Sequence, residues 1–256
     1  MIASLGMYDR PETAAANDAL WALIRDGLRD AGVPAPDALT RGEGAYWQAW
    51  QSPDLVLSQT CGLPFRARLH DRVTMIGTPD YKVEECPPGF YRSVLIARAD
   101  DPRQSEQDFA GATFALNETL SQSGWAAPVA HFAGLGLTLN ADLVTGSHSA
   151  SARAVADGRA DFAAIDAVTW RLLERHETFA TGLRVFAQTR PTPGLPLISA
   201  KGARADTVFT AVAQAISALP GDARHTLCLH GIVRIPADAY LALPLPPVPA
   251  QIGGTA

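Results

Sequence analysis

The feature that most constrains the fold of this chain is the regular alternation of apolar runs and helix-like segments between residues 113 and 188. The apolar runs predict strands over residues 113–117, 141–146, 161–166 and 183–188. The segments between them predict three helices, which end near residues 135, 156 and 176. Strands that alternate with helices in this way are typical of a mostly parallel sheet with helices on both faces.

The flanking segments predict more elements of the same kind. Further strands are expected over residues 2–8, 54–58, 72–77, 91–99 and 197–199, and further helices before Gly32 and over about 204–219 and 223–229. The C-terminal stretch, PLPPVPAQIGGTA, is expected to be poorly ordered.

These elements predict an α/β fold of two lobes. Residues 98–187 are expected to form one lobe, and residues 1–97 and 188–256 together form the other. The strands near 91–99 and 183–188 would cross between the lobes and act as a hinge.

Composition argues against two classes of partner. The net charge is −5 and the basic residues are scattered, so nucleic-acid binding is not expected. No apolar stretch approaches the roughly 18 residues of a membrane span, so no transmembrane segment is expected. The N-terminus lacks the basic and apolar regions of a signal peptide, which leaves open a cytoplasmic location or the removal of an export segment.

Motifs of catalysis and metal binding are also absent from the sequence. No CxxC pair occurs, and none of the patterns GxSxG, GxxxxGK[ST], HExxH or GxGxxG is present. We therefore expect no catalytic residue, no cofactor and no metal. A disulfide between Cys61 and Cys86 is one possibility in an oxidising compartment, and unpaired thiols are the other.

Candidate ligand contacts follow the strands, because ligands of open α/β sheets lie beyond the carboxyl ends of the strands. Two strand ends are serine-rich turns that open a helix, one with Ser121, Gln122, Ser123 and Gly124, the other with His148 and Ser149. Free backbone N–H groups at a helix start favour an anion. Simple N-capping by serine is the alternative.

Other strand ends add Tyr8, Gln59, Thr60 and Asp166. Asp166 fits either a ligand ammonium or hydroxyl group or the cap of the following helix, and His148 fits either an anion contact or an ordinary surface position. The two serine turns contain no Arg or Lys, which suits an oxyanion held by neutral donors and equally suits a neutral ligand.

Three segments carry a resemblance to a known family. The runs YRSVLIARADDPRQSEQDFAGATFALNETLSQSGWAAP and GSHSASARAVADGRADFAAIDAVTW resemble the phosphonate-binding group of ABC-transporter solute receptors, and DLVLSQTCGLPF is similar to the loop that follows an early strand in that group. The resemblance extends from Tyr8 to Tyr240. It implies the type II periplasmic-binding-protein fold, a small anionic ligand such as a phosphonate or phosphate between two lobes, an ABC permease as partner, and a periplasmic location.

The resemblance also implies roles for particular residues. Ser121, Gln122 and Ser123 fall where the family binds the anionic head, and His148, Asp166 and Tyr91 fall at further contact positions. The predicted function is therefore a solute-binding protein that is not an enzyme. Two alternatives stay open, a cytoplasmic enzyme of the same fold that resembles menaquinone-pathway lyases, and a cytoplasmic ligand sensor.

Overall fold

The computed structural model describes residues 1–248, which divide into two compact units. Unit 1 comprises residues 1–90 and 193–243. Unit 2 comprises residues 91–192 and the C-terminal segment that begins at Pro244. The chain therefore passes from one unit to the other near residues 90, 192 and 243.

Strands and helices alternate along most of the chain. The strands are β1 (Ile2–Ser4), β2 (Leu55–Gln59), β3 (Val73–Asp80), β4 (Phe90–Tyr91), β5 (Ser93–Arg98), β6 (Phe114–Leu116), β7 (Leu143–Val144), β8 (Phe162–Asp166), β9 (Leu183–Gln188), β10 (Thr192–Pro193), β11 (Leu197–Ala200) and β12 (Gly231–Val233). The α-helices are α1 (Ala14–Asp30), α2 (Trp47–Trp50), α3 (Gly62–Pro64), α4 (Ala127–Gly134), α5 (His148–Ala156), α6 (Ala167–His176), α7 (Ala205–Ala218), α8 (Gly221–Thr226) and α9 (Ala237–Leu241). Two π-helical stretches, Phe65–Leu69 and Gln122–Ala126, adjoin α3 and α4.

Unit 1 is built on a five-stranded sheet in the order β1-β2-β11-β3-β12. Helices α1 and α7 pack together and contribute Trp21, Ile24, Val212 and Ile216 to its larger apolar core. Neighbouring residues of β11 point to opposite faces of the sheet, so Leu197 joins this core and the next residue joins a second one. Both faces of the unit 1 sheet are therefore covered.

Unit 2 is built on a second sheet in the order β7-β6-β8-β5-β9. A cluster of phenylalanines fills its core, with Phe109 stacked on Phe186 at 4.3 Å and Phe114 tilted against Phe162 at 5.0 Å between ring centroids. Aromatic pairs of this kind stabilise a core beyond the area that they bury. This sheet carries β6 and β8, whose ends lead to the predicted ligand contacts.

The expectation of a mostly parallel sheet is wrong. Strand β6 pairs in parallel with β7 and β8, and β1 pairs in parallel with β2, but β5 is antiparallel to β8 and β9, and β11 is antiparallel to β2 and β3. Strands β5 and β11 are the first long strands after the chain passes from one unit to the other. A parallel pair needs a crossover connection within the same sheet. Strands β5 and β11 are reached from the other unit and not through such a crossover, so they run antiparallel to their neighbours.

The predicted first strand also ends too late. Strand β1 ends at Ser4, and residues Gly6–Tyr8 form a 3-10 turn instead. Thr13 donates a hydrogen bond to the Tyr8 carbonyl at 2.7 Å, which bends the chain toward α1. Tyr8 is therefore a turn residue and not the end of a strand. The predicted strand over residues 91–99 is likewise divided into β4 and β5, with Arg92 between them. The Arg92 carbonyl accepts a hydrogen bond from the Ala167 N–H and not from a neighbouring strand.

Two further expectations concern the cysteines and the tail. All three cysteines lie in the part of the chain that the structure describes, and no disulfide joins them, so the Cys61–Cys86 bridge is absent.

The tail is not uniformly unstructured, because the Pro247 carbonyl accepts a hydrogen bond from the Trp125 indole. The expectation of poor order for residues 249–256 lies outside the described residues. Over residues 1–248 no helix combines the length and apolar character needed to cross a membrane.

Candidate functional site

The turn after β6 carries the candidate anion contacts of unit 2. Ser121 precedes the π-helix Gln122–Ala126, and its hydroxyl oxygen accepts a hydrogen bond from the Gly124 N–H at 2.9 Å. The N-capping interpretation of Ser121 is therefore confirmed. Because a hydroxyl both accepts and donates, its hydrogen is still available to another group.

Ser123 is the second residue of this π-helix and is fixed from two sides. Its carbonyl accepts a hydrogen bond from the Ser93 hydroxyl at 2.8 Å, and its own hydroxyl lies 2.8 Å from His148 Nε2. An N–H group at this position has no acceptor within the helix. Ser123 is 3% exposed, so its hydroxyl and N–H are buried within unit 2.

His148 is the first residue of α5 and faces the serine turn. Desolvation lowers the pKa of His148 to about 4, although the nearby backbone of Ala164 raises it in part. The imidazole is therefore neutral at pH 7. Its Nδ1 atom is buried and makes no hydrogen bond to the described residues. Which of Ser123 and His148 donates depends on the imidazole tautomer.

Gly124 allows the turn to pack tightly. A Cβ atom at this position would lie 1.8 Å from Asn117 Oδ1, so any side chain would clash. Asn117 Oδ1 is buried and has no hydrogen-bond partner in the described chain. The glycine thus leaves room for the side chain of Asn117, the residue that follows β6.

The start of α5 holds His148 in place. Ser147 caps the helix by accepting a hydrogen bond from the Ala150 N–H at 3.1 Å. Thr145 bonds the Leu116 carbonyl at 3.1 Å and the Ser151 hydroxyl at 2.7 Å, which ties the helix to the end of β6. Ser149, a predicted contact, is a half-buried residue in the first turn of α5.

Asp166 ends β8 and caps α6. Its Oδ1 accepts hydrogen bonds from Val168 and Thr169 N–H groups at 2.8 and 3.0 Å. The capping interpretation is therefore confirmed. Asp166 pairs with Ser93 across the sheet, and Ser93 in turn bonds Ser123, so this carboxylate lies close to the serine turn. Tyr91, at the start of unit 2, is 3% exposed.

The described tail packs beside the serine turn. Trp125, the fourth residue of the π-helix, is 2% exposed and donates its indole N–H to the Pro247 carbonyl at 3.1 Å. The C-terminal segment thereby supports the element that carries Ser121 and Ser123. This contact joins residues 122 positions apart, and the sequence offered no sign of it.

The unit 1 candidates form a separate group. Gln59 is 4% exposed, and its amide donates to the Tyr81 hydroxyl at 3.1 Å and to the Leu195 carbonyl at 3.3 Å. Tyr8 meets Tyr81 edge to face at 5.0 Å between ring centroids. Thr60 is fully buried, and its N–H donates to the Pro196 carbonyl at 3.0 Å. Tyr81 thus joins Tyr8 and Gln59 into one neutral cluster.

Each unit therefore assembles some of the predicted residues. Unit 2 brings together Ser121, Gln122, Ser123, Gly124, His148 and Asp166. Sequence reasoning missed Ser93 and Asn117, which orient this turn. Among the described residues no group of three or more His, Cys, Asp or Glu side chains is arranged to hold a metal ion.

Comparison with solved structures identifies the fold. PhnD1 from Prochlorococcus marinus in complex with methylphosphonate matches with a TM-score of 0.71 and 15% identity, over 93% of this chain and 94% of that chain. The binding-protein component of an ABC phosphonate transporter from Pseudomonas aeruginosa matches with a TM-score of 0.67 and 17% identity, over 93% and 83%. A Xanthomonas citri protein bound to ATP matches with a TM-score of 0.65 and 18% identity, over 90% and 91%. The predicted type II periplasmic-binding-protein fold is confirmed.

A sequence comparison identifies the family. No curated protein matches the chain significantly. A family model described as the periplasmic phosphonate substrate-binding protein of ABC transporters matches residues 56–235, which is most of the chain. That family consists of substrate-binding proteins and not of enzymes, so the non-enzymatic prediction is confirmed and the lyase alternative is set aside. The chain belongs to the phosphonate-binding family of ABC-transporter substrate-binding proteins.

Proposed function

We propose that this protein binds a phosphonate or a closely related oxyanion through the serine turn of unit 2, with Ser121, Ser123 and His148 as the principal contacts. The observation that carries the proposal is the Ser123–His148 pair, 2.8 Å apart at the start of a π-helix. An anion that leaves water needs several donors at one point, because a buried charge without partners is very costly.

The donors of the turn suit an oxyanion without a counter-charge. The two serine hydroxyls and the Ser123 N–H are neutral donors, and the helix start adds a partial positive charge. The Gly124 N–H is already bonded to Ser121, so we exclude it from the anion contacts that the sequence suggested. Donors that are fixed before the ligand arrives lose little entropy on binding.

Neutral His148 fits this arrangement as the hydrogen-bond partner of Ser123. When the hydrogen is on Nε2, the imidazole donates to the Ser123 hydroxyl oxygen and the serine turns its own hydrogen toward the anion; when it is on Nδ1, the Ser123 hydroxyl donates to Nε2 and the Ser123 N–H meets the anion. The low pKa of His148 means that this relay carries no net charge at pH 7. Gln122, Ser149, Asp166 and Tyr91 complete the proposed contacts of unit 2, and Tyr8, Gln59 and Thr60 those of unit 1.

The proposed role in transport follows the family. Members are periplasmic substrate-binding components of ABC transporters. We propose further that this protein acts in the periplasm and passes its ligand to an ABC permease. The neighbour in complex with methylphosphonate makes that compound the first ligand to test.

Calorimetric titration of the purified protein with methylphosphonate and inorganic phosphate tests the proposal. Replacing Ser123 with Ala should weaken binding ten- to hundredfold, because a hydrogen bond to a charged group contributes about 1.5–3 kcal/mol. Ser105→Ala is the matched control, since that hydroxyl bonds the Asp108 carboxylate at 2.9 Å within the same unit. The control should bind like the parent. Equal affinity of the Ser123→Ala variant and the parent would contradict the assignment of the site.

A further inference from the structure

A cavity of about 380 Å³ opens at the surface of unit 1, among residues that take no part in the proposed phosphonate contacts. Its volume is within the range of roughly 300–1,000 Å³ that is usual for small-molecule sites. The lining comes from α2 with the residue after it, and from the π-helix Phe65–Leu69 with the three residues after it. The polar and aromatic residues of the lining are Trp47, Gln51, Arg68, His70, Asp71 and Arg72.

The charge of this lining is positive, although the protein is acidic. Arg68 and Arg72 each carry a positive charge, and Asp71 is the one acidic residue of the described lining, whereas the whole chain has a net charge of −5. The ion pair of Asp71 with Arg72 spans 3.9 Å, and the two side chains are 67% and 72% exposed. Exposed pairs of this kind contribute little. A negatively charged ligand therefore meets a net positive charge in this cavity.

Arg68 is held in place without a counter-ion. Its guanidinium lies over the Trp47 ring, 5.4 Å from the ring centroid, and makes no hydrogen bond or ion pair to the described residues. Arg103, by contrast, contacts both Asp101 and Asp161 at 2.6 Å. A guanidinium presents five N–H donors in a fixed plane. The donors of Arg68 are therefore oriented by the indole and available to a ligand.

The remaining polar groups of the lining are available as well. The side chains of His70 and Gln51 and the indole N–H of Trp47 make no hydrogen bond to residues 1–248. His70 and Gln51 are exposed, and Trp47 is half-buried. A ligand at these groups replaces water and does not have to break a contact within the protein.

The combination of a flat platform and positive charge fits an aromatic phosphate. Aromatic rings stack on indole and guanidinium planes, and the Trp47–Arg68 pair offers both. Arg72 and His70 add donors that suit phosphate oxygens, and the Gln51 amide can donate or accept at the edge of a ring. A free phosphate ion would use the donors alone and leave most of the cavity empty.

We propose that this cavity is a second ligand site, which binds an aromatic phosphate of the size of a nucleoside monophosphate. The ring of the ligand stacks against Arg68 and Trp47, and its phosphate accepts hydrogen bonds from Arg72 and His70. The site goes beyond the proposed function, because it shares no residue with the phosphonate contacts. Each proposal therefore stands if the other fails.

Calorimetric titration of the full chain with AMP, adenosine and ribose 5-phosphate tests the site. Adenosine lacks the phosphate, and ribose 5-phosphate lacks the ring. We expect AMP to bind at least tenfold more tightly than either fragment, because one loses the hydrogen bonds to charged donors and the other loses the stacking. Added salt should weaken AMP binding, since it screens exposed charges.

Two arginine variants of unit 1 localise the binding. Arg68→Gln removes the charge and the stacked plane and should weaken AMP binding at least tenfold. Arg224→Gln is the matched control, because Arg224 is an exposed arginine of α8 that does not line the cavity and makes no side-chain contact with the described residues. The control should bind AMP like the parent. Arg68→Lys keeps the charge without the plane, so its affinity should lie between those of Arg68→Gln and the parent.

A competition experiment separates the two sites. Excess methylphosphonate should leave AMP binding unchanged, because the two ligands use different residues. AMP binding that needs both ring and phosphate, falls with Arg68→Gln and resists methylphosphonate supports the second site. The proposal is overturned if AMP does not bind, if ribose 5-phosphate binds as tightly as AMP, if Arg68→Gln and Arg224→Gln behave alike, or if methylphosphonate displaces AMP. If methylphosphonate itself does not bind, the proposed function fails, and the other titrations still decide the second site.

Discussion

The turns after β2 and β6 have similar backbones and different chemistry. Each turn follows a buried strand and leads into a π-helical stretch, Phe65–Leu69 in unit 1 and Gln122–Ala126 in unit 2. In unit 1 the residue before α3 is Cys61, which makes no side-chain cap, and Pro64 lacks an N–H group. In unit 2 Ser121 caps the helix, and Ser123 lies beside His148.

The difference teaches that two similar helix starts can offer an anion different donors, because the side chains around them decide which donors are oriented. The unit 2 turn presents hydroxyl groups next to a neutral imidazole. In the unit 1 turn the Thr60 side chain is fully buried, and the Gln59 amide is engaged by Tyr81 and Leu195. This difference is the reason that the proposed anion contacts are those of the unit 2 turn.

A negative charge in the unit 2 turn should have the largest effect. Ser123→Asp places a carboxylate where we propose the anion, and methylphosphonate affinity should fall at least a hundredfold, on the order of 3 kcal/mol. Ser123→Asn has nearly the same shape without the charge and is the control, with an expected loss of about tenfold. Calorimetry measures both. Comparable affinities for the two variants would mean that charge is irrelevant at this turn.

Filling the space at Gly124 should destabilise unit 2. The new Cβ of Gly124→Ala would meet Asn117 Oδ1 at 1.8 Å, and such overpacking costs about 2–3 kcal/mol. Gly134→Ala is the control, because nothing lies within 4 Å of its Cβ position at the end of α4. Urea unfolding should show the loss for Gly124→Ala alone. Adding Asn117→Ala should recover most of it, and failure of that rescue would break the account of the glycine.

The pH dependence of stability should report the neutral state of His148. Its pKa is about 4 in the folded protein and about 6.5 in an unfolded chain, so the unfolded state binds the proton first as pH falls. The stabilisation is complete above about pH 6.5 and declines toward pH 4, by on the order of 2 kcal/mol. Urea unfolding at pH 7.5 and 4.5 measures it. The His148→Asn variant should lose less stability between these pH values than the parent, and identical losses would contradict the low pKa.

Removal of the tail should have the smallest effect. Truncation after Leu243 deletes the carbonyl that accepts from Trp125, and an average hydrogen bond contributes about 1 kcal/mol. Trp125→Phe in the full chain should cost a similar amount. The two changes together should cost less than their sum, because they remove the same contact. Full additivity in thermal unfolding would show that the tail acts elsewhere.

Helix starts and apolar runs could be predicted from the sequence because their causes are local. Ser121 and Asp166 each precede a helix and cap it, as serine and aspartate commonly do. Strand β8, helix α6 and strand β9 were expected within a residue of their observed bounds. The serine turn was found for the same reason, since its residues are adjacent in the chain.

Contacts between distant residues could not be predicted. Ser93 lies at the start of an apolar strand and reaches a carbonyl 30 residues away. The contact between Asn117 and the Gly124 position depends on how closely the end of β6 approaches the π-helix, which composition does not reveal. The direction of β5 and the contact of Pro247 with Trp125 likewise depend on how the chain returns to unit 2.

The central claim is that the unit 2 turn, and not the unit 1 turn, holds the anion. Amide NMR of the ¹⁵N-labelled protein during titration with methylphosphonate tests this most directly, because an N–H that donates to an anion shifts strongly. We predict the largest shift at Ser123, with smaller ones at Gln122 and His148, and little change at Cys61 and Gly62. The largest shifts at Cys61 and Gly62, with Ser123 unmoved, would contradict the account.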